Sequence, residues 1–199
     1  MKVRARPYRM AARAAAAEET GRRLIAAMQT LFAERPFEDI TVEDVAARAG
    51  VTLRTLLRRF GSKSGLLAAA ATEGTARVEA QRSEAPVGDP RGAIANLFDH
   101  YEEWGQVSLR LLSQEERFAE IGEITRRGRA LHAAWVERVF APELVRWRGQ
   151  ARKLRHAQLV AICDVYVWKL LRRDLGLSRQ DSEKAVLGIV EALCARGEL

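Results

Sequence analysis

Apolar residues recur along this chain three and four positions apart, which is the spacing of one face of an α-helix. The first three such faces comprise Leu24, Met28, Leu31 and Phe32, then Val42, Val45, Ala46 and Ala49, and then Leu53, Leu56 and Phe60. The sequence has neither the alternation typical of strands nor the Asn-Gly or Asp-Gly turns of hairpins. The pattern therefore predicts an all-α protein with short connections.

Prolines, glycines and capping residues divide the chain into predicted helices. Arg35-Pro36 ends the first, because proline disfavours a helical conformation in the residue before it. Gly105 and Gly176 mark later breaks. The predicted helices span about 18–34, 42–49, 53–60, 63–82, 90–104, 106–115, 118–140, 152–174 and 179–196.

Two short helices with a glycine turn between them are predicted at residues 42–60. Thr41 and Thr52 stand where these helices begin, and a threonine oxygen there can accept from the free N–H groups of the first turn. Asp44 completes an approximate capping box with Thr41, and Gly50 can adopt a left-handed turn at little cost. This arrangement is the signature of a helix-turn-helix.

The outward face of the second short helix is suited to reading DNA. It consists of Thr52, Arg54, Thr55, Arg58 and Arg59. Arginine can bond to guanine O6 and N7 in the major groove, and threonine offers a hydroxyl or a methyl contact. Residues 1–65 carry 13 Lys and Arg against 7 Asp and Glu, whereas residues 66–199 are nearly neutral. This asymmetry favours a polyanion bound by the first third of the chain.

The N-terminal arm, residues 2–13, is basic throughout. It contains Lys2, Arg4, Arg6, Arg9 and Arg13 and no acidic residue. Such a segment is predicted to be mobile, at least before Arg13. Two interpretations remain open: a solvated tail, or an extension that enters the minor groove beside the recognition site.

Residues 24–67, LIAAMQTLFAERPFEDITVEDVAARAGVTLRTLLRRFGSKSGLL, resemble the tetracycline-repressor-like (TetR) family of bacterial regulators. The shared features are Phe32 at the end of the first helix, Thr41, the Ala49-Gly50-Val51 turn, Phe60 at the end of the recognition helix, and Ser62-Lys63. The resemblance implies a helix-turn-helix DNA-binding domain of three helices at 1–65. A helical effector-binding and dimerisation domain would follow at 66–199.

The resemblance also implies which residues contact DNA. Thr41 and Lys63 would hold phosphates, while Thr52, Arg54, Thr55 and Arg59 fall where family members place recognition side chains. Two positions depart from the family, which often has glycine in place of Arg54 and tyrosine in place of Leu57. That tyrosine commonly touches a phosphate, so Leu57 is expected to pack inward or against a sugar. Arg54 and Arg58 would then compensate for the lost contact.

For the rest of the chain, the resemblance implies an unidentified small-molecule effector and a homodimer. Residues proposed for the effector pocket are Phe98, Tyr101, Trp104, Phe118, His132 and Trp135. Ordinary core packing is the alternative for each of them. The dimer would form through the last two predicted helices, at about 153–174 and 179–196, so that two recognition helices meet double-stranded DNA at a palindromic operator.

Enzymatic activity, cofactors and metals are not expected. The two cysteines and three histidines lack metal-ligand spacing, and motifs such as GxSxG and the P-loop are missing from the sequence. No apolar run approaches the roughly 20 residues of a membrane span, and no secretory signal is evident, so a cytoplasmic protein is expected.

These features predict a sequence-specific transcriptional regulator, specifically a repressor that a small-molecule effector releases from a palindromic operator. One alternative is a DNA-binding architectural or constitutive regulator without an effector. Another is a helical carrier whose basic surface is incidental. An enclosed cavity in the body would favour the sensor, and sequence-selective DNA binding would exclude the carrier.

Overall fold

The computed structural model describes residues 5–195, with side chains from residue 10 onward, and all regular structure in that range is helical, as predicted. The helices are α1 (Ala5–Glu34), α2 (Val42–Ala49), α3 (Leu53–Phe60), α4 (Lys63–Ser83), α5 (Pro90–Leu112), α6 (Ala119–Val139), α7 (Ala141–Leu144), α8 (Gly149–Ile162), α9 (Val165–Lys169) and α10 (Arg179–Ala195). They form two compact units, of which one ends at Gly74 and the other begins at Thr75. No helix within residues 5–195 has a stretch long and apolar enough to cross a membrane.

The first unit, here called the head, contains α1 to α3 and the beginning of α4. Its core confirms most of the predicted apolar faces: the side chains at these positions are almost fully buried, except those of Val42, Leu53 and Phe60, which are half-buried. The buried side chains include Leu24, Met28, Leu31, Phe32, Val45 and Leu56. Between α1 and α2 a short 3-10 turn, Phe37–Asp39, buries the ring of Phe37 in the same core. The helix-turn-helix therefore rests on a continuous apolar layer.

The second unit, here called the body, contains the remaining helices. In it α5 packs against α6, α9 and α10, and α8 packs against α6 and α10. The body core comprises mainly Ile94, Leu97, Phe98, Tyr101, Trp135, Val136, Val139, Leu159, Cys163, Trp168, Val186 and Val190. All four tryptophans of the chain lie in this unit, so tryptophan fluorescence reports on the body alone.

Helix α1 begins at Ala5, thirteen residues before the predicted start at 18. The predicted start of the first helix at about residue 18 was therefore wrong. The alanine-rich stretch from Ala11 to Ala17 explains the difference, since alanine has the highest helix propensity and the sequence there contains no proline or glycine.

The break predicted at Gly105 was also wrong, because α5 continues through it to Leu112. Gly105 is buried against Trp168, and a Cβ atom added there would lie 2.7 Å from Cζ3 of that ring. The glycine is thus explained by a close approach between α5 and α9 rather than by a turn.

The segment predicted as one helix at 152–174 is divided into three parts. α8 ends at Ile162, and α9 begins after Asp164, whose carboxylate accepts a hydrogen bond from the backbone N–H of Tyr166 at 2.9 Å. A π-helical turn, Leu170–Asp174, follows α9. An aspartate that caps the next helix disfavours continuation of the preceding one, which accounts for the break.

Candidate functional site

The start of α2 is fixed by a capping box at Thr41 and Asp44, as predicted. The Thr41 N–H donates to Asp44 Oδ2 at 3.0 Å, and the Asp44 N–H donates to Thr41 Oγ1 at 3.1 Å. The hydrogen bonds from Thr41 lower the pKa of Asp44, and the nearby Arg35 guanidinium lowers it further. Because Thr41 Oγ1 acts as the acceptor, its own hydroxyl proton remains available to a phosphate oxygen.

A left-handed glycine joins α2 to α3. Gly50 has φ 64° and ψ 41°, a conformation that few other residues adopt at low cost. Thr52 then caps α3, with its Oγ1 accepting from the Thr55 N–H at 3.3 Å and lying 3.0 Å from Thr55 Oγ1. The predicted turn and second cap are both confirmed.

Helix α3 turns one apolar side into the head and leaves a cationic side exposed. Leu56 is fully buried, whereas Arg54 and Arg58 are exposed and stand one turn apart on the same face. Neither arginine makes a hydrogen bond or ion pair with any residue from 10 to 195. Two unpaired guanidinium groups on one helix face are suited to a groove lined with acceptors.

Arg59 differs from the other two arginines because it binds the head itself. Its Nη1 donates to the carbonyl oxygen of Ala17 on α1 at 2.7 Å. The guanidinium lies over Gly21, where an added Cβ atom would come within 2.3 Å of Arg59 Nη2. Spacing along α3 placed Arg59 on the outward face but could not reveal this contact with α1.

Lys63 also has partners within the head. Its Nζ donates to the carbonyl oxygens of Phe37 at 2.8 Å and Ile40 at 2.9 Å, and it lies 4.1 Å from the centre of the Phe37 ring. Lysine has three N–H donors, so one is left for a phosphate. The side chain therefore stabilises the turn that precedes Thr41.

The roles of Leu57 and of the arm residues were left open by the sequence. Leu57 is 40% exposed, so it does not pack inward. Of the two roles expected from the sequence, contact with a DNA sugar is the one that remains. Of the arm residues, Arg4 lies outside the described residues. Arg6 and Arg9 lie in the backbone of α1, but their side chains are outside the description.

The candidate pocket residues of the body separate into two groups. Phe98, Tyr101 and Trp135 are at most 5% exposed and belong to the core. Trp104 and Phe118 are half-buried. The Tyr101 hydroxyl donates to the carbonyl oxygen of Cys163 at 2.9 Å, so it is bound within the body.

His132, also half-buried, contacts a residue that was not identified from the sequence. Its Nε2 lies 3.1 Å from the carbonyl oxygen of Val160, and its Nδ1 lies 3.2 Å from Arg82 Nη2. A carbonyl can only accept and a guanidinium can only donate, so the neutral ring carries its proton on Nε2. Trp135 stacks on His132 with 6.2 Å between ring centres, and Arg82 Cζ lies 4.2 Å from the centre of the Trp135 ring. A basic residue in the polar last turn of α4 gave no sequence signal of this role.

Burial and the Arg82 charge lower the pKa of His100, a neighbour of this cluster, to about 3. Unfolded His100 binds a proton near its ordinary value of 6.5, whereas the folded group stays neutral down to about pH 3. Stability is therefore complete above pH 6.5 and falls with decreasing pH below it. We expect the free energy of unfolding of the body to drop by about 2 kcal/mol from this group between pH 7 and pH 5. Urea titration followed by tryptophan fluorescence measures it.

His100→Gln is the matched variant for this prediction, because other groups also titrate between these pH values. The variant should show a smaller loss of stability than the wild type over the same interval. An equal loss in both proteins would contradict the assignment to His100.

The capped α2, the glycine turn and the exposed cationic face of α3 together define a helix-turn-helix DNA-binding protein. Residues 24–70 match the sequence profile of the family described as bacterial regulatory proteins, tetR family. This similarity covers the helix-turn-helix and the beginning of α4, and it supports a DNA-binding regulator. No protein of curated function matches its sequence.

Solved structures share the fold of most of the chain. A transcriptional regulator from Pseudomonas aeruginosa PAO1 has a TM-score of 0.69 and 19% identity, over 88% of this chain and 90% of its own. A TetR-family regulator from Rhodococcus sp. has a TM-score of 0.67 and 24% identity, over 89% and 100%. A regulator from Saccharomonospora viridis, solved with choline, has a TM-score of 0.66 and 19% identity, over 87% and 96%. The likeness extends to the body, beyond the part that the family profile matches.

Proposed function

We propose that this regulator is a homodimeric repressor that binds a palindromic operator and releases it when a small molecule binds the body. The observation that carries the proposal is the outer face of α3, where Arg54 and Arg58 are exposed and without partners among residues 10–195. Unpaired cations on a rigidly capped helix are prepared for base edges, because no internal bond has to break before they bind.

The head offers three kinds of contact with DNA. Arg54, Arg58, Thr52 and Thr55 would read bases in the major groove. The Thr41 hydroxyl and the third N–H of Lys63 would bind phosphates, which position the helix without reading sequence. Arg59 would act by fixing α3 against α1, and the arm residues Arg4, Arg6 and Arg9 would approach the minor groove from the start of α1.

Exposed apolar side chains on the last helices support the homodimer. They are Leu154 on α8, Tyr166 on α9, Leu170 and Leu175 after it, and Ile189 on α10. Their exposed fractions range from 49% to 61%, and large apolar groups exposed together often mark an interface. A second copy packed on these helices would set two recognition helices about 34–36 Å apart along one face of the DNA.

The body supplies the candidate effector site, at the cluster of Trp135, His132 and Arg82. Arg82 lies in the last turn of α4, and α4 begins immediately after the recognition helix. A ligand that shifts the end of α4 would bias the separation of the two recognition helices and lower operator affinity. The S. viridis regulator, which shares this fold, was solved in complex with choline, and this supports a small-molecule ligand for the present chain.

Selection of bound sequences from a random pool of duplex DNA tests the proposal, with affinity measured at two salt concentrations. We expect an enriched palindrome whose half-site centres lie about 10 base pairs, or a multiple of that, apart. Binding without an enriched motif, falling steeply with salt, would instead favour an architectural protein. A lack of binding to any duplex at low salt would contradict the proposal.

A further inference from the structure

The body contains a buried cation that no carboxylate of the described residues neutralises. Arg82 is only 7% exposed, yet no Asp or Glu among residues 10–195 lies within ion-pair distance of it. Burial lowers the pKa of its guanidinium, but arginine remains charged at neutral pH. A buried charge without a counter-charge is strongly unfavourable, so the position of Arg82 requires an explanation.

The groups around Arg82 are neutral or cationic. His132 accepts one of its hydrogen bonds, and the Trp135 ring lies beneath its guanidinium. Arg138 approaches from α6 and donates to the carbonyl oxygen of Arg82 at 2.8 Å. Asp164 influences the same cluster, but its carboxylate binds the N–H of Tyr166 and lies beyond ion-pair distance of Arg82.

Two buried nitrogen atoms beside this cation have no hydrogen-bond partner among residues 10–195. They are Nδ1 of His100 and Nε1 of Trp135, in side chains that are 7% and 5% exposed. Buried polar atoms are nearly always paired, so two unpaired atoms next to an uncompensated charge are suited to a polar group of a ligand. The indole N–H can only donate, and a neutral histidine can place its proton on either nitrogen, so that group can be an acceptor.

We infer that Arg82, His100 and Trp135 bind the carboxylate of an effector whose remaining part is apolar, while His132 holds the Arg82 guanidinium in place. The guanidinium would hold the two carboxylate oxygens with a pair of parallel N–H donors, and the Trp135 N–H would supply a further bond. The aromatic rings of the cluster and the surrounding core residues suit an apolar remainder. The inference rests on the proposed function, since it names the chemical class that the body senses.

The same charge excludes cationic effectors from this site. A quaternary ammonium such as choline, which the S. viridis regulator was solved with, would meet Arg82 and Arg138 without a balancing carboxylate. The effector class of this chain is therefore expected to differ from that ligand, although the two proteins share a fold.

Matched pairs of ligands test the inference on the full-length protein. The probes are the straight-chain carboxylates from hexanoate to dodecanoate and 4-phenylbutyrate, each compared with its primary amide. Affinity is measured by tryptophan fluorescence, which reports on the body and includes Trp135 itself. We expect the best carboxylate to bind at least tenfold more tightly than its amide. Amides that bind as tightly as their carboxylates, or a panel in which no carboxylate binds, would overturn the inference.

Arg82→Met separates a binding role from a structural one. The variant should lose the preference for carboxylate over amide while its melting temperature stays equal to or above that of the wild type, because an unpaired buried charge is removed. Arg155→Met is the control, since Arg155 is also buried and lies over a tryptophan, with 4.5 Å from its Cζ to the Trp147 ring centre. It should keep the preference.

If Arg82→Met does not fold, Arg82→Lys serves instead, because lysine keeps the charge without the paired donors. It should bind the carboxylate at least tenfold more weakly than the wild type and still prefer it to the amide. A preference that persists unchanged in either variant would overturn the assignment to Arg82.

Operator binding distinguishes this inference from the proposed function. If an amide or a cation released the selected operator and no carboxylate did, the proposed function would be supported. The inferred carboxylate site would be contradicted. A carboxylate that binds through Arg82 and leaves operator affinity unchanged would support the site and contradict release by this ligand.

Discussion

Replacing Arg54 and Arg58 together by methionine is expected to lower affinity for the selected operator about 100-fold or more, since each good contact between arginine and a base contributes roughly 1–3 kcal/mol. Methionine keeps most of the length and helix propensity of arginine, so the change removes the donors and leaves α3 intact. Titration of a labelled operator by fluorescence anisotropy, at one fixed salt concentration, measures the effect.

Two control variants make this result specific. Arg126→Met removes an exposed arginine of the body that pairs with Glu123, and it should change operator affinity less than twofold. Arg59→Met removes the hydrogen bond to the Ala17 carbonyl oxygen. Its main effect should be a lower free energy of unfolding of the head, with only a small change in which bases the protein prefers. Equal losses of affinity in the Arg126 variant and the Arg54/Arg58 double variant would show that net charge, and not the face of α3, controls binding.

Gly65→Ala is expected to disrupt the junction between α3 and α4. A Cβ atom at Gly65 would lie 2.2 Å from the backbone oxygen of Phe60, the last residue of α3. Backbone cannot yield as a flexible side chain does, so either the junction shifts or α3 changes its angle. We expect a loss of about 2–3 kcal/mol from the head. Thermal unfolding followed by circular dichroism should show its transition roughly 10–20 °C lower.

The four tryptophans provide an internal control for this variant, because all of them lie in the body. The fluorescence transition of the body should stay where it is in the wild type. Gly128→Ala is the matched substitution in α6, where no atom of the described residues lies within 4 Å of the added Cβ. It should stabilise the body by about 0.5–1 kcal/mol, because alanine favours a helix over glycine. A Gly65 variant with an unchanged head would contradict the close contact with Phe60.

Features that depend on neighbours in sequence were predictable from the residues alone. The Thr41–Asp44 capping box, the left-handed Gly50 and the Thr52 cap each follow from chemistry within four residues, and the structure confirms them. The burial of Leu56 followed from helical period in the same way. The helix-turn-helix could therefore be predicted almost completely from residues that are close together in the sequence.

Features that depend on distant residues could not be predicted. Gly105 looked like a helix break, yet its role depends on Trp168, which is 63 positions later. Arg59 and Lys63 looked alike as outward cations, and only the folded head shows that both bind backbone carbonyls. Arg82 lies in a helix with little amphipathic pattern, and its buried neighbours come from α5 and α6. Periodicity identifies the face of a helix but not the partner that covers it.

The most direct test of the central claim, that the exposed face of α3 reads DNA, is methylation interference on the selected operator. Methylation of guanine N7 blocks an arginine in the major groove, whereas methylation of adenine N3 blocks contacts in the minor groove. We expect interference at guanine N7 in each half-site, and we expect Arg54→Met to bind without sensitivity to at least one of those guanines. Interference confined to adenine N3, or a guanine pattern unchanged in Arg54→Met and Arg58→Met, would contradict recognition by α3.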